Sequence, residues 1–213
     1  MNYKYSIFAA QDLSITMKKI ITSIVLALAF HSAGFAQDTL EFLGVPIEGS
    51  VYSFCSAMRK VGFKSQARSE ITLGGKYHSD KVEVRLGMDP SSEEVGVLIV
   101  DYPQKNSWMA TKTLYESVRM RLTSDYGEAS MTLEEYDYPY TEADGFRAVD
   151  EGKCRYITTY SIYPGGTTSK GNSPRNPFLK TEPKVDPIGE ITLTISQDRR
   201  VRIYFQRATR SSE

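Results

Sequence analysis

The chain concentrates its chemical groups in one stretch, EEYDYPYTEADG, where Glu134, Glu135, Asp137, Glu142 and Asp144 alternate with Tyr136, Tyr138 and Tyr140. Glycoside hydrolysis and calcium coordination need little more than well-placed carboxylates. Tyrosine adds contact area with a polar tip. The spacing departs from an EF-hand loop, so the stretch reads as a solvated acidic turn in which Tyr136, Tyr138 and Tyr140 are candidate contact residues. Carboxylate-based glycan binding or processing is the alternative. Other chemistries are poorly served. Of the two histidines, His31 lies in a leader-like segment, and His78 in GGKYHSD stands near no GxSxG elbow and reads as a surface residue. His78, Cys55 and Cys154 are scattered without zinc-ligand spacing. There is no GxxxxGK[ST] loop and no GxGxxG after a strand. No catalytic residue, metal ligand or cofactor is therefore assigned, and the chain reads as a non-catalytic module.

Charge and the first residues bound the rest. The 26 basic and 26 acidic side chains are mixed along the chain, whereas nucleic-acid recognition leaves a basic face or stripe. From Met17 two lysines precede the apolar run Ile20–Phe30 and the tail Gly34-Phe35-Ala36, the layout of a secretory signal peptide cleaved after Ala36. The run falls short of the ~20 residues a spanning helix needs, so no transmembrane anchor is expected after leader removal. Residues 1–16 read as an upstream extension, 17–36 as the signal peptide and 37–213 as the exported domain, periplasmic or extracellular. Disulfides persist in such compartments. Cys55 and Cys154 are thus a candidate pair, closing a loop of about 100 residues worth up to ~4.7 kcal/mol. The alternative is two small buried apolar residues, since Cys55 shares a helical face with Val51, Phe54 and Met58.

Position in the fold comes from periodicity. Ser107–Gly127 predicts the longest helix, with Trp108, Tyr115, Val118, Leu122 and Tyr126 on one stripe, Lys112, Glu116, Arg119 and Arg121 in water, and Gly127 as its stop. Ser50 caps a shorter helix ending at Gly62 and Phe63. Three strands are expected between the helices, Ile71–His78, Val82–Met88 and Val95–Tyr102, joined by short connections that force an antiparallel meander. Val95–Val100 is apolar at nearly every position and reads as a central strand covered on both sides. After the long helix the pattern resumes with Met131–Tyr138, a strand near Phe146–Val149, Cys154–Tyr163 and a closing hairpin. In that hairpin Ile191, Leu193, Ile195, Val201, Ile203 and Phe205 point one way, and Thr192, Thr194, Ser196, Arg202, Tyr204 and Gln206 the other. The outward set makes a flat polar face, with Arg202 and Tyr204 as candidate interaction residues. The proline-rich segment 165–186 carries no period and reads as a flexible loop. The expected class is α+β: two helix-plus-antiparallel-meander halves, 37–106 and 107–213, with helices packed on antiparallel sheet.

Several segments carry a resemblance: LEFLGVPIEG, FxxxMRKVGF, LGGKY, LTSDYG, EEYDYPYTEADGF, GKCRYIT and the closing GEITLTIS–RVRIYF. Together they resemble the small secreted proteins of uncharacterised function common in gut Bacteroidales. The resemblance implies export and a helix-plus-meander architecture somewhat like the tandem repeats of β-lactamase inhibitory protein. It brings no activity or site. The expected function is that of an exported binding module whose partner, of unknown identity, is an envelope or extracellular protein.

Overall fold

Two capped helices set the layout, each leading into an antiparallel meander. The computed structural model describes residues 39–66, 69–89, 92–165 and 185–208. The expectations for 1–16, for the signal peptide and for most of the loop 165–186 lie outside them.

Helix α1, Val51–Lys60, starts because Ser50 stays extended and its hydroxyl accepts the Ser53 amide at 3.2 Å. It buries Phe54, Cys55 and Met58. Past its end the amides of Gly62 and Phe63 bond back to Arg59 and Met58, which turns the Phe63 ring into the core. Helix α2, Trp108–Tyr126, uses the same device, Ser107 accepting the Ala110 amide at 3.2 Å. It stops at Gly127, whose φ of 100° an L side chain rarely adopts. Its buried stripe is Thr111, Leu114, Tyr115, Val118 and Leu122. Tyr115 meets the Thr158 hydroxyl at 2.7 Å, and Tyr160 donates to the Arg119 carbonyl at 3.1 Å. These bonds fix the helix to the sheet while satisfying hydroxyls that burial would otherwise penalise. Burial pushes the Tyr115 phenol up to about 12.

The strands are β1 Glu41–Phe42, β2 Val45–Pro46, β3 Lys64–Gln66, β4 Ser69–Tyr77, β5 Asp80–Met88, β6 Val95–Asp101, β7 Met131–Tyr136, β8 Cys154–Ile162, β9 Gly189–Ile195 and β10 Val201–Arg207. The first two form a small hairpin turned at Leu43 and Gly44, both with positive φ. The other eight make one antiparallel sheet in the order β3-β4-β5-β6-β10-β9-β8-β7. Each helix is thus followed by a meander, and the two meanders join through their last strands, Ile203 of β10 opposite Val100 of β6. The fold is α+β with helices on antiparallel sheet.

Strand alternation sends Leu73, Val84, Leu86, Leu98, Val100, Val201, Ile203, Phe205, Ile191 and Leu193 to the helix side, where all are buried. Full burial of each contributes about 1.5–3 kcal/mol. Phe42 fills the space beside α1, its ring 5.0–6.0 Å from those of Tyr77, Phe205 and Phe63. Among the described residues no helix is long and apolar enough to cross a membrane.

Four local expectations need correction. Phe146–Asp150 is a short helix, α3, not a strand. A capping box between Thr141 and Asp144 begins a 3-10 turn at Glu142–Asp144, and Gly145, with a φ of 51° and no room for a Cβ beside Trp108, leads from it directly into α3. The β4–β5 turn falls on His78 and Ser79, both with positive φ, so His78 belongs to the turn and not to the expected strand Ile71–His78. β6 is central but covered on one side only, since Val97 and Ile99 on its second face are half-exposed. Finally, Cys55 and Cys154 both remain thiols. α1 packs on β2, β3 and β4, whereas Cys154 lies on β8, five strand spacings from β4 or about 24 Å. A disulfide requires Cα atoms within about 7 Å. Both residues pack as small apolar groups, and burial raises the Cys154 thiol pKa.

Candidate functional site

The helices cover one side of the eight-stranded sheet; the other side is the site. Its central row runs across the strands as Lys64, Gly74, Glu83, Asp101 and Arg202, consecutive partners in the register. Asp101 is only 2% exposed. It accepts from Arg85 Nε at 3.0 Å and Nη2 at 2.6 Å, and from Arg202 Nε at 2.5 Å. Arg202 also reaches Asp198 at 3.0 Å and the Tyr204 hydroxyl at 3.5 Å. Burial disfavours the Arg202 cation, but its bond to Asp101 outweighs this and raises its pKa. Asp198 lies low despite partial desolvation, held by Ser196 and the two arginines 202 and 200. The network stiffens the middle of the face by tying β5, β6 and β10 together through side chains as well as backbone.

Beside it lie half-buried aliphatic groups, Val97 and Ile99 on β6, Ile157 on β8 and Leu133 on β7, with Tyr204, Thr192 and Thr194 between them. Tyr204 stands directly opposite Ile99 and Thr192. The surface is thus an apolar strip flanked by charged and hydroxyl groups. Arg202 and Tyr204, flagged by alternation alone, sit at its centre.

Towards the β3 edge the face deepens into a trough of about 640 Å³. Gly74 on its floor carries no side chain between Lys64 and Glu83. Lys76, Lys81, Arg200, Gln66 and Gln104 stand around it. No sequence signal pointed here, because the residues come from separated positions that only the register aligns.

No protein-family model, curated protein or solved structure matches this chain.

The acidic tyrosine-rich turn has a different character. Tyr136 is half-buried, its hydroxyl 3.1 Å from that of Tyr156, in an aromatic group where Tyr156 meets Trp108 at 5.4 Å and Tyr115 at 5.6 Å. Burial raises its pKa. Tyr140 bonds Glu151 and lies under the Arg147 guanidinium. Tyr138 is 97% exposed and is the one tyrosine of the three that projects fully. Most of the carboxylates are matched by cations: Arg155 bridges Glu135 and Asp137, Lys112 meets Glu142 at 2.5 Å, and Arg147 meets Asp144. Asp144 is held low first by the Thr141 amide, then by Arg147. Among the described residues no group of three metal-binding side chains occurs, and these acids line neither the trough nor the smaller hollow of about 230 Å³ near Glu190 and Arg207. His78, at the β4–β5 turn, pairs with Asp125 of α2 at 2.9 Å. Beside it Arg121 meets Asp80 at 2.5 Å, so this corner links a helix end to a hairpin.

Proposed function

We propose that the chain is an exported, non-catalytic binding module that holds a protein partner in the periplasm or outside the cell, using the uncovered face of its large sheet. The observation that carries this reading is the strip of half-exposed Val97, Ile99, Ile157 and Leu133 around Tyr204, set in a polar rim and stiffened by the Asp101 network. Interfaces place apolar and aromatic groups centrally with charged groups outside. Eight strands about 4.8 Å apart and roughly six residues long offer about 700 Å². A standard interface takes about 800 Å² from each partner. The acidic tyrosine-rich turn does not enter this reading, because its carboxylates are largely engaged by Arg155, Lys112 and Arg147.

The test is affinity capture from envelope fractions of the source cells with two baits, the parent and an Ile99→Gln/Tyr204→Ala variant. Both positions are half-exposed on the uncovered face, so the variant is expected to fold. A protein retained by the parent and lost from the variant supports the reading; equal retention by both baits refutes it.

A further inference from the structure

The trough at the β3 edge carries more positive charge than it balances. Lys76 and Lys81 stand directly opposite each other across β4 and β5, an arrangement of like charges that destabilises a strand pair. Lys64 lies on the next row, opposite Gly74. Among the described residues none of these three lysines has an ion-pair partner, and Arg200 reaches only Asp198, at 3.6 Å. Of the two carboxylates lining the trough, Asp101 is already held by Arg85 and Arg202. Among the described lining residues Glu83 is then the one carboxylate left to face the lysines.

We propose that this trough binds an extended acidic peptide segment of the partner, its carboxylates meeting Lys64, Lys76 and Lys81. The inference rests on the binding-module reading and names the chemistry of the bound segment. Its volume of about 640 Å³ lies within the range of ligand sites. Gly74 leaves the floor open to a main chain, and the Gln66 and Gln104 amides offer donors and acceptors to a peptide backbone. Among the described residues the lining holds no aromatic ring, the group on which a sugar would stack, so an acidic saccharide is the poorer match. Among the described residues β3 ends the strand order, and its three residues are exposed, which places a strand edge beside the charges, suited to an extended chain.

The experiment titrates a fluorescent, end-capped hexaglutamate against the full chain by anisotropy, at low salt and at about 0.15 M salt, where the Debye length is about 8 Å. The parent is expected to bind, and more weakly at the higher salt. Lys76→Gln/Lys81→Gln is expected to bind at least about tenfold more weakly, and Lys76→Arg/Lys81→Arg within about threefold of the parent. Both lysines are exposed, so the urea midpoint of the arginine variant should match the parent's and that of the glutamine variant should equal or exceed it, the like-charge pair being relieved, and folding is not at issue. Gly74→Leu, which fills the floor without changing charge, should also weaken binding. No hexaglutamate binding, or equal binding by the glutamine variant, overturns the proposal; the lysines then serve only to keep the sheet edge from pairing with other chains. Displacement by tri-galacturonate at concentrations below those at which hexaglutamate binds overturns it in favour of a saccharide. If the captured partner depends on Ile99 and Tyr204 but hexaglutamate does not bind, this inference fails and the reading of the face stands. If hexaglutamate binds as described but no protein depends on the face, the trough stands and that reading fails.

Discussion

Replacing Asp101 by alanine probes the network that stiffens the sheet. The substitution removes three charge-assisted contacts, from Arg85 Nε and Nη2 and from Arg202 Nε. The two arginines lose unequally. Arg85 has a side chain 40% exposed, so water replaces most of what it gives up, and its share stays within the ~0–1 kcal/mol of an exposed pair. Arg202 is 15% exposed. A charge-assisted bond there is worth about 1.5–3 kcal/mol, and the remaining partner, Asp198 at 3.0 Å, keeps the loss from growing larger. The expected destabilisation is about 2–3 kcal/mol, which for a domain of this size lowers Tm by roughly 5–10 °C. Asp101→Asn keeps the shape and one acceptor and should cost about half as much. Urea unfolding with a double-mutant cycle decides it: coupling of Asp101→Ala to Arg202→Met is expected at about 1.5–2 kcal/mol, and to Arg85→Met below about 1 kcal/mol. A loss under about 0.5 kcal/mol, or stronger coupling to Arg85, would refute the view that Asp101 is a buried anchor.

Three further outcomes follow from local geometry. Gly75→Ala should cost at least about 1–3 kcal/mol in urea unfolding, because the new methyl would sit 2.4–2.6 Å from the buried Phe63 ring; Gly74→Ala meets only the movable Gln66 amide at 3.0 Å and should be nearly neutral. Alkylation in denaturant without reductant should label both Cys55 and Cys154, and reductant should leave Tm unchanged, whereas one disulfide's worth of protection would contradict the separation of α1 from β8. The carboxyls of Asp144, Asp150 and Asp198 are held below the ordinary value of about 3.9. Because the folded values are the lower ones, their contribution to stability is present above that pH and is lost as pH falls through the folded values. Asp150→Asn, which removes the bond to Arg199, should therefore flatten the urea-midpoint decline as pH falls below about 4, and parallel curves would speak against it.

Elements with many repeats of a period were legible in the sequence. α2 runs long enough for Tyr115, Val118 and Leu122 to mark its buried stripe, and β9 with β10 alternates so regularly that the uncovered face of that hairpin could be assigned by residue. Short elements were not legible. β3 is three exposed polar residues, placed by pairing with β4 and by the end of α1, with no apolar alternation of its own. α3 is too short for a 3.6-residue period to separate Phe146-Arg147-Ala148-Val149 from a strand. β6 misled for another reason: Val97 and Ile99 are as apolar as their buried neighbours Leu98 and Val100, so hydropathy alone places a cover over both faces. The trough was invisible because Lys64, Gly74, Glu83 and Asp101 become neighbours only through the register. The acidic turn drew notice by composition, but the cations that engage it come from Arg155 on β8, Lys112 on α2 and Arg147 on α3.

Whether a partner meets the uncovered sheet face, as proposed, can be read directly in the cell. The most direct measurement is site-specific photo-cross-linking in source cells, with the photoreactive residue at position 204 in the middle of that face or at position 113 on the exposed side of α2. A discrete cross-linked protein is expected from position 204, absent from position 113 and lost when Ile99→Gln is added. The same product from both positions, or a product from position 113 alone, would contradict it.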